Sequence, residues 1–464
     1  MGAHRRRPGT RRHLRAGVGS LSRARVRRPS PDGANWWRAL GDAITKPTTR
    51  RRALLALGVA AAVVLSGCTA GRNSVDQNST PIAADIAGQL DAAVGEAMAL
   101  SGSSGALVGV WSAAGEWTVA HGTTEIGGSA PMTSGMHFRI GTNTTAMTCT
   151  VLLRLVDEGT VTLDDPVSTY LPRLVGVAGV TLGQLCQGTS GLGSYSPVLA
   201  GEFVHNPLRT WPAMELVSQG LATPRTGAPG SVWGPSNTGI VLLGMALERA
   251  TGRQWSALYD EHIFHPLGLH DTSYPHAGDV DLPTPHSHGY AAAVGADGPV
   301  CTAITDNTLL SNSMSGVAGG VVSTLADMRT WAGALAAGGL LSESSANAQW
   351  DTVNEDVTTP SWQRYGLGAE QVGPLRGRTG SIPGFISATL ADPDQTMTVV
   401  VMLNNSSAGD QFALTLARQL AAIIAEAPAG RGNEPSVALP WTVAQTRAEL
   451  AAEAACPTVA EIVG

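Results

Sequence analysis

Six histidines fall between positions 262 and 288: His262, His265, His270, His276, His286 and His288. Imidazoles at that density can ligate a metal or act as general bases. Their spacing fits no zinc pattern, so no metal ligand is assigned and no cofactor is expected. A serine on a strand-to-helix elbow would be marked by Gly-x-Ser-x-Gly, which the chain lacks. Lysine is scarcer still as a base, because Lys46 is the only one in the 464 residues. Asp164-Asp165 follow a helix and read as cap and turn rather than as an acid–base pair. Cys149 lies in an apolar helical run and reads as buried packing. Cys301 and Cys456 are able to pair, and the sequence leaves that open.

The elements that would position such groups begin late. Residues 1–52 carry 15 of the 30 Lys and Arg and only two acids, Asp32 and Asp42; the remainder holds 15 bases against 34 acids. An acidic body of this kind lacks the basic face that nucleic acid requires, so no nucleic-acid partner is expected. Residues 1–45 show blocks of arginine and no periodicity. Arg50-Arg51-Arg52, the apolar run 53–65 and Ser66-Gly67-Cys68 then have the make-up of an export signal. The run is too short to cross roughly 30 Å of hydrocarbon. Leu65-Ser66-Gly67-Cys68 resembles the bacterial lipobox. It implies lipidation of Cys68, a tether over 68–83 and attachment to the outer face of the cytoplasmic membrane.

The body reads as 84–430, with a tail over 431–464 holding one more helix. Apolar spacing predicts helices over 84–100, 142–158, 238–251, 325–337, 411–425 and 443–455, several stopped by glycine. Two short strands are expected around a turn at 113–115, and further strands at 365–371, 385–391 and 396–404. The stretch from 160 to about 360 reads as mostly helix and loop. This order is that of an α/β (α+β) fold with an inserted helical lobe. Trp111, Trp117, Trp233, Trp331 and Trp362 are read as core or cleft lining.

Several blocks occur together in order: Phe138-Arg139-Ile140-Gly141, the run 163–172 (Leu-Asp-Asp-Pro-Val-Ser-Thr-Tyr-Leu-Pro), Thr189-Ser190-Gly191-Leu192 and Ser236-Asn237-Thr238-Gly239. The run 263–269 (Ile-Phe-His-Pro-Leu-Gly-Leu), Ala318-Gly319-Gly320 and the run 379–385 (Thr-Gly-Ser-Ile-Pro-Gly-Phe) complete them. Together they resemble the serine hydrolase family of class C β-lactamases, DD-carboxypeptidases and related esterases, from about 84 to 427. The resemblance implies a central antiparallel sheet flanked by helices, plus a helical lobe, with a cleft between them.

The resemblance also implies three catalytic motifs, and all three are altered. Ser-x-x-Lys reads Thr142-Asn143-Thr144-Thr145, so the nucleophile position holds Thr142 and the base position Thr145. A threonine hydroxyl attacks carbonyls only with a base beside it, and Thr145 does not titrate near neutrality. Tyr-x-Asn reads Pro235-Ser236-Asn237, which keeps the amide and loses the phenol. Lys/His-Thr-Gly reads Arg378-Thr379-Gly380; arginine keeps the charge and cannot serve as a base. The histidine of His-Thr-Ser-Gly-Leu is Gly188. Each positioned acid–base group contributes about 10²–10⁴ in rate. The expectation is a lipid-anchored, non-catalytic binding protein of the cell envelope. Asn237, Arg378, Thr379 and Thr142 would hold a cell-wall peptide or another carboxylate ligand. The alternative is a weak esterase, β-lactamase or peptidase that attacks through Thr142.

Overall fold

The structure is a computed structural model that describes residues 80–295, 298–426 and 437–456. The proposed signal, Cys68 and most of the tether lie outside the described residues. The strands in chain order are β1 Gly105–Ser112, β2 Gly115–Gly122, β3 Phe138–Arg139, β4 Tyr290–Gly295, β5 Gly298–Asp306 and β6 Val322–Ser323. They continue with β7 Val353–Asn354, β8 Gln363–Tyr365, β9 Glu370–Val372, β10 Leu375–Ile382, β11 Phe385–Ala391 and β12 Met397–Leu403.

Eight of these form one sheet in the order β2-β1-β12-β11-β10-β9-β8-β7, with every neighbour antiparallel. Alternation along each strand sends side chains to both faces. Val108, Val110, Val399 and Val401 meet Leu90, Val94, Phe412, Leu416 and Leu420 of helices Ala84–Ser101 and Gly409–Ala425. Leu107, Val400 and Met402 face the other way, into a second core with Phe138, Met147, Leu152 and Trp331. Each large side chain buried this way contributes about 1.5–3 kcal/mol. β11 and β12 are therefore buried from end to end. The lobe occupies the chain between β2 and β7. The helices Asn237–Thr251 and Leu325–Ala337 start on Ser236 and Thr324, whose hydroxyls accept from Gly239 and Asp327 N–H, and end on Gly252 and Gly338.

Several details differ from the sequence expectations. The helix expected from 142 begins as a tight 3₁₀ turn, Gly141–Asn143, and becomes α-helical over Thr144–Asp157. The strand expected at 365–371 is broken into β8 and β9. Gly368 there has φ +77°, and a Cβ on it would lie 2.6 Å from the Cys149 Cβ. The 160–360 stretch also contains a strand pair, β4–β5. Cys149 is buried as expected, yet it is disulfide-bonded to Cys186 of helix Leu182–Gln187, with Cα atoms 5.8 Å apart. The packing reading is thus corrected: both cysteines are buried, and their bond joins the helix Thr144–Asp157 to Leu182–Gln187. Cys301 and Cys456 are also bonded. The tail helix Val443–Glu453 docks on Gly409–Ala425, where Arg418 pairs with Glu449 at 2.7 Å and lies over the rings of Trp362 and Trp441. No helix among the described residues is long and apolar enough to cross a membrane.

Candidate functional site

The 3₁₀ turn that carries Thr142 is wedged against β10. Gly141 has φ +55°, and a Cβ on it would lie 2.6 Å from the Ser381 backbone; a Cβ on Gly380 would lie 2.0 Å from the Ile140 carbonyl oxygen. Only glycine permits that approach. Beneath the turn, Asn143 Nδ2 donates to Ser387 Oγ at 3.0 Å and its Oδ1 accepts from Thr389 Oγ1 at 3.2 Å. Ser387 Oγ in turn donates to the Ile140 carbonyl at 2.9 Å. Thr142 is consequently held half-buried at the edge of β10. Its Oγ1 donates to the Thr379 carbonyl at 3.4 Å and accepts from the Ser381 N–H at 3.2 Å. No titratable side chain hydrogen-bonds this hydroxyl among the described residues.

Thr145 lies one turn on, buried, and its hydroxyl donates to the Ala318 carbonyl at 3.2 Å. Asn237, the first residue of its helix, donates from Nδ2 to Ser196 Oγ at 2.7 Å. Pro235 is exposed and does not line the cleft. It sits beside Gly188, where a Cβ would meet the Pro235 Cα at 3.7 Å.

Arg378 and Thr379 are placed differently from the sequence expectation. Arg378 Nη1 bonds Glu370 Oε1 at 2.7 Å, and Thr379 Oγ1 donates to the same oxygen at 3.0 Å. The Arg378 guanidinium also lies 5.1 Å from the centre of the Tyr365 ring, and its Nε reaches the Thr142 carbonyl at 3.4 Å. Burial alone would lower the guanidinium's pKa. Tyr365, Glu370, Asp410 and Glu355 outweigh it and hold the group above its ordinary value. Nearby, burial and then the repulsion of Glu370 push the Glu355 carboxyl up to about 7, against the pull of Arg378. Arg378 is therefore a buried, occupied cation beneath the turn. Glu370 thus engages both side chains, Arg378 and Thr379, that the sequence reading assigns to a ligand carboxylate.

Thr142 and Asn237 meet in a cleft of about 440 Å³, which neither Arg378 nor Thr379 lines. Ser196, Ser315, Ser381, Ser406 and Ser407 supply hydroxyls there, and Phe203, Val204, Ile382 and Pro383 supply an apolar wall. The β4–β5 strands close one side through Ala291, Ala292, Val294 and Pro299. Among the described residues, Asp410 is the one charged residue of the lining. Among the described residues no three His, Cys, Asp or Glu side chains gather as metal ligands. Of the six clustered histidines, His288 pairs with Asp306 at 2.7 Å, and His262 is buried 3.6 Å from Glu158. Asp165 accepts from Thr162 and Tyr170, which makes it a turn residue. Of the tryptophans singled out, Trp331 is core and none lines this cleft.

Sequence reasoning did not find Glu370, Asp410 or Glu355. The signal for Glu370 is an acid that opens the short strand Glu370–Val372 directly after the buried Ala369. Ser381 carries no assigned role in the sequence, and its N–H is the group that donates to Thr142 Oγ1.

An all-antiparallel sheet, a helical lobe and a hydroxyl seated on a tight turn between them define a serine-hydrolase type of architecture. The family described as Beta-lactamase matches residues 90–423, and the chain belongs to it. It is 30% identical over 291 residues to the D-alanyl-D-alanine-carboxypeptidase/endopeptidase AmpH of Escherichia coli K12, spanning 58% of this chain and 71% of that protein. It is 28% identical over 316 residues to a D-aminopeptidase of Cereibacter sphaeroides, spanning 66% and 57% respectively. The crystal structure of a D-stereospecific amidohydrolase from a Streptomyces species superposes with a TM-score of 0.63 at 30% identity, covering 73% of this chain and 98% of that one.

Proposed function

We propose that this chain is a non-catalytic binding protein of the cell envelope, lipid-anchored through Cys68, that uses a β-lactamase-type cleft to hold a peptide fragment. One observation carries the reading: among the described residues, the hydroxyl at the nucleophile position hydrogen-bonds only to backbone, the Thr379 carbonyl and the Ser381 N–H. Neither contact can take its proton at neutral pH. The residue in the base position, Thr145, is itself spent on the Ala318 carbonyl, and the mature chain contains no lysine to replace it.

Export is supported by the apolar run before Cys68 and by two disulfides, which persist in oxidising compartments. A peptide ligand is supported by the cleft's mixture of hydroxyls and apolar wall, and by relatives named for peptide and amide substrates. The test is to incubate the purified full-length chain with a fluorescent penicillin and a chromogenic short-chain ester, then record its intact mass. Wild type and Thr142→Ala are expected to match, with neither adduct nor turnover. An adduct or turnover present in wild type and lost in Thr142→Ala overturns the proposal in favour of a Thr142-dependent hydrolase. For the anchor, Cys68→Ala is expected to move the protein from the membrane to the soluble fraction.

A further inference from the structure

The segment 312–318 borders a second cavity, of about 250 Å³, that shares no lining residue with the Thr142 cleft. Ser315 lines the cleft, whereas Asn312, Ser313, Gly316 and Val317 line this cavity. The helices Ala213–Ala222 and Asn237–Thr251 add Leu216, Val241 and Met245 to its wall. Trp211, Trp255 and Tyr274 make the wall strongly aromatic. The Trp255 ring is fixed there, because its Nε1 donates to the Gly244 carbonyl at 3.1 Å.

Among the described residues, Glu248 is the one charged group of this lining. Burial holds its carboxyl above the ordinary value. No hydrogen bond or ion pair engages that carboxylate among the described residues. Its electrostatic neighbour is Tyr274, whose phenol is raised by burial first and then by the Glu248 charge. Arg209, which lies 3.6 Å over the Trp211 ring, is bonded instead to Glu215 at 2.6 Å. Trp211 Nε1 and Asn312 Oδ1, on residues only 3% and 1% exposed, have no hydrogen-bond partner among the described residues. Finished interiors leave few such groups. A mostly apolar space with aromatic walls and one carboxylate lacking a cation is suited to an organic cation, which rings and carboxylate both attract.

We propose that this cavity binds a small N-methylated ammonium ion, held by the Glu248 carboxylate and the aromatic wall. A protonated primary amine brings three N–H donors that a largely apolar wall cannot match, whereas a quaternary head brings none. The site is separate from Thr142, and its test stands whether or not that residue is catalytic.

The test is calorimetric titration of the purified full-length chain with choline, with its uncharged carbon isostere 3,3-dimethylbutan-1-ol, and with ethanolamine. Choline is expected to bind, and the isostere and ethanolamine to bind at least tenfold more weakly. Glu248→Gln weakens choline tenfold or more and leaves the isostere unchanged. Ala277→Trp, at an exposed position of the lining, fills the space and weakens choline as much. Far-UV circular dichroism confirms that the variants fold; Glu248→Gln changes one partly exposed group and decides the matter alone if Ala277→Trp does not fold. The proposal is overturned if choline gives no heat at millimolar concentration, or if the isostere or ethanolamine binds as tightly as choline. It is equally overturned if folded Glu248→Gln or Ala277→Trp binds choline as wild type does.

Discussion

Replacing Glu370 with alanine should strand a guanidinium. Arg378 and Glu370 meet at 2.7 Å with side chains only 10% and 8% exposed, and Thr379 donates to the same carboxylate oxygen. Removing the carboxylate leaves a buried cation and an unmatched hydroxyl, a loss that typically costs about 3–5 kcal/mol. The Tyr365 ring 5.1 Å from the guanidinium recovers a little of it, which favours the lower end. Removing both charges together, Glu370→Leu with Arg378→Met, deletes the desolvation penalty along with the attraction. That double variant should be close to wild type or more stable. Urea unfolding followed by tryptophan fluorescence reads the difference. With a slope of about 3 kcal/mol/M, Glu370→Ala should lower the midpoint by about 1 M or more. The reasoning is refuted if Glu370→Ala costs less than about 1 kcal/mol, or if the double variant is as unstable as the single one.

Other perturbations test the same frame. Alanine at Gly377 or Gly380 would put a Cβ 1.8 Å from the Thr389 carbonyl oxygen or 2.0 Å from that of Ile140, both rigid backbone atoms. Each should cost about 3 kcal/mol or more and show as lost soluble yield and a lowered melting temperature. The Glu355 carboxyl, raised to about 7 by burial and then by Glu370, binds its proton more tightly folded than unfolded. Its contribution to stability is therefore full below the ordinary 4.5 and is lost as pH rises through about 7. Glu355→Gln should flatten that decline, seen as urea midpoints measured across the window. The Cys149–Cys186 bond spans 37 residues. Loop closure puts its worth at up to about 4 kcal/mol. Paired serine substitutions should lower the urea midpoint accordingly, without altering far-UV circular dichroism.

The long helices were legible because apolar residues recur on one face and a glycine follows, as at Gly252 and Gly338. Those signals are local, and packing agreed with them. β10 was not fully legible. Its run 375–382 (Leu-Arg-Gly-Arg-Thr-Gly-Ser-Ile) is poor strand sequence, and its glycines answer to the backbone of β11 and of the Thr142 turn, which no window reveals. The alanines of β4 likewise hide a strand whose partner supplies the reason for it. At the site, Thr142, Thr145 and Asn237 could be located because fixed blocks flank them. The fate of Arg378 could not, since Glu370 lies on the neighbouring strand and the ion pair exists only once β9 and β10 are in register. A charge at a binding position in a sequence is a capacity. Whether it is spent inside the protein depends on what the fold brings beside it.

The Cys301–Cys456 bond reaches further than its two thiols. It staples a strand that forms one side of the cleft to the segment just after the helix Val443–Glu453, which itself packs on the helix Gly409–Ala425. The carboxyl-terminal segment is thereby a buttress for the cleft's rim. A recombinant protein shortened at Glu426 would keep the sheet and the Thr142 turn and lose what steadies that wall, so ligand affinity measured on it would belong to a different mouth.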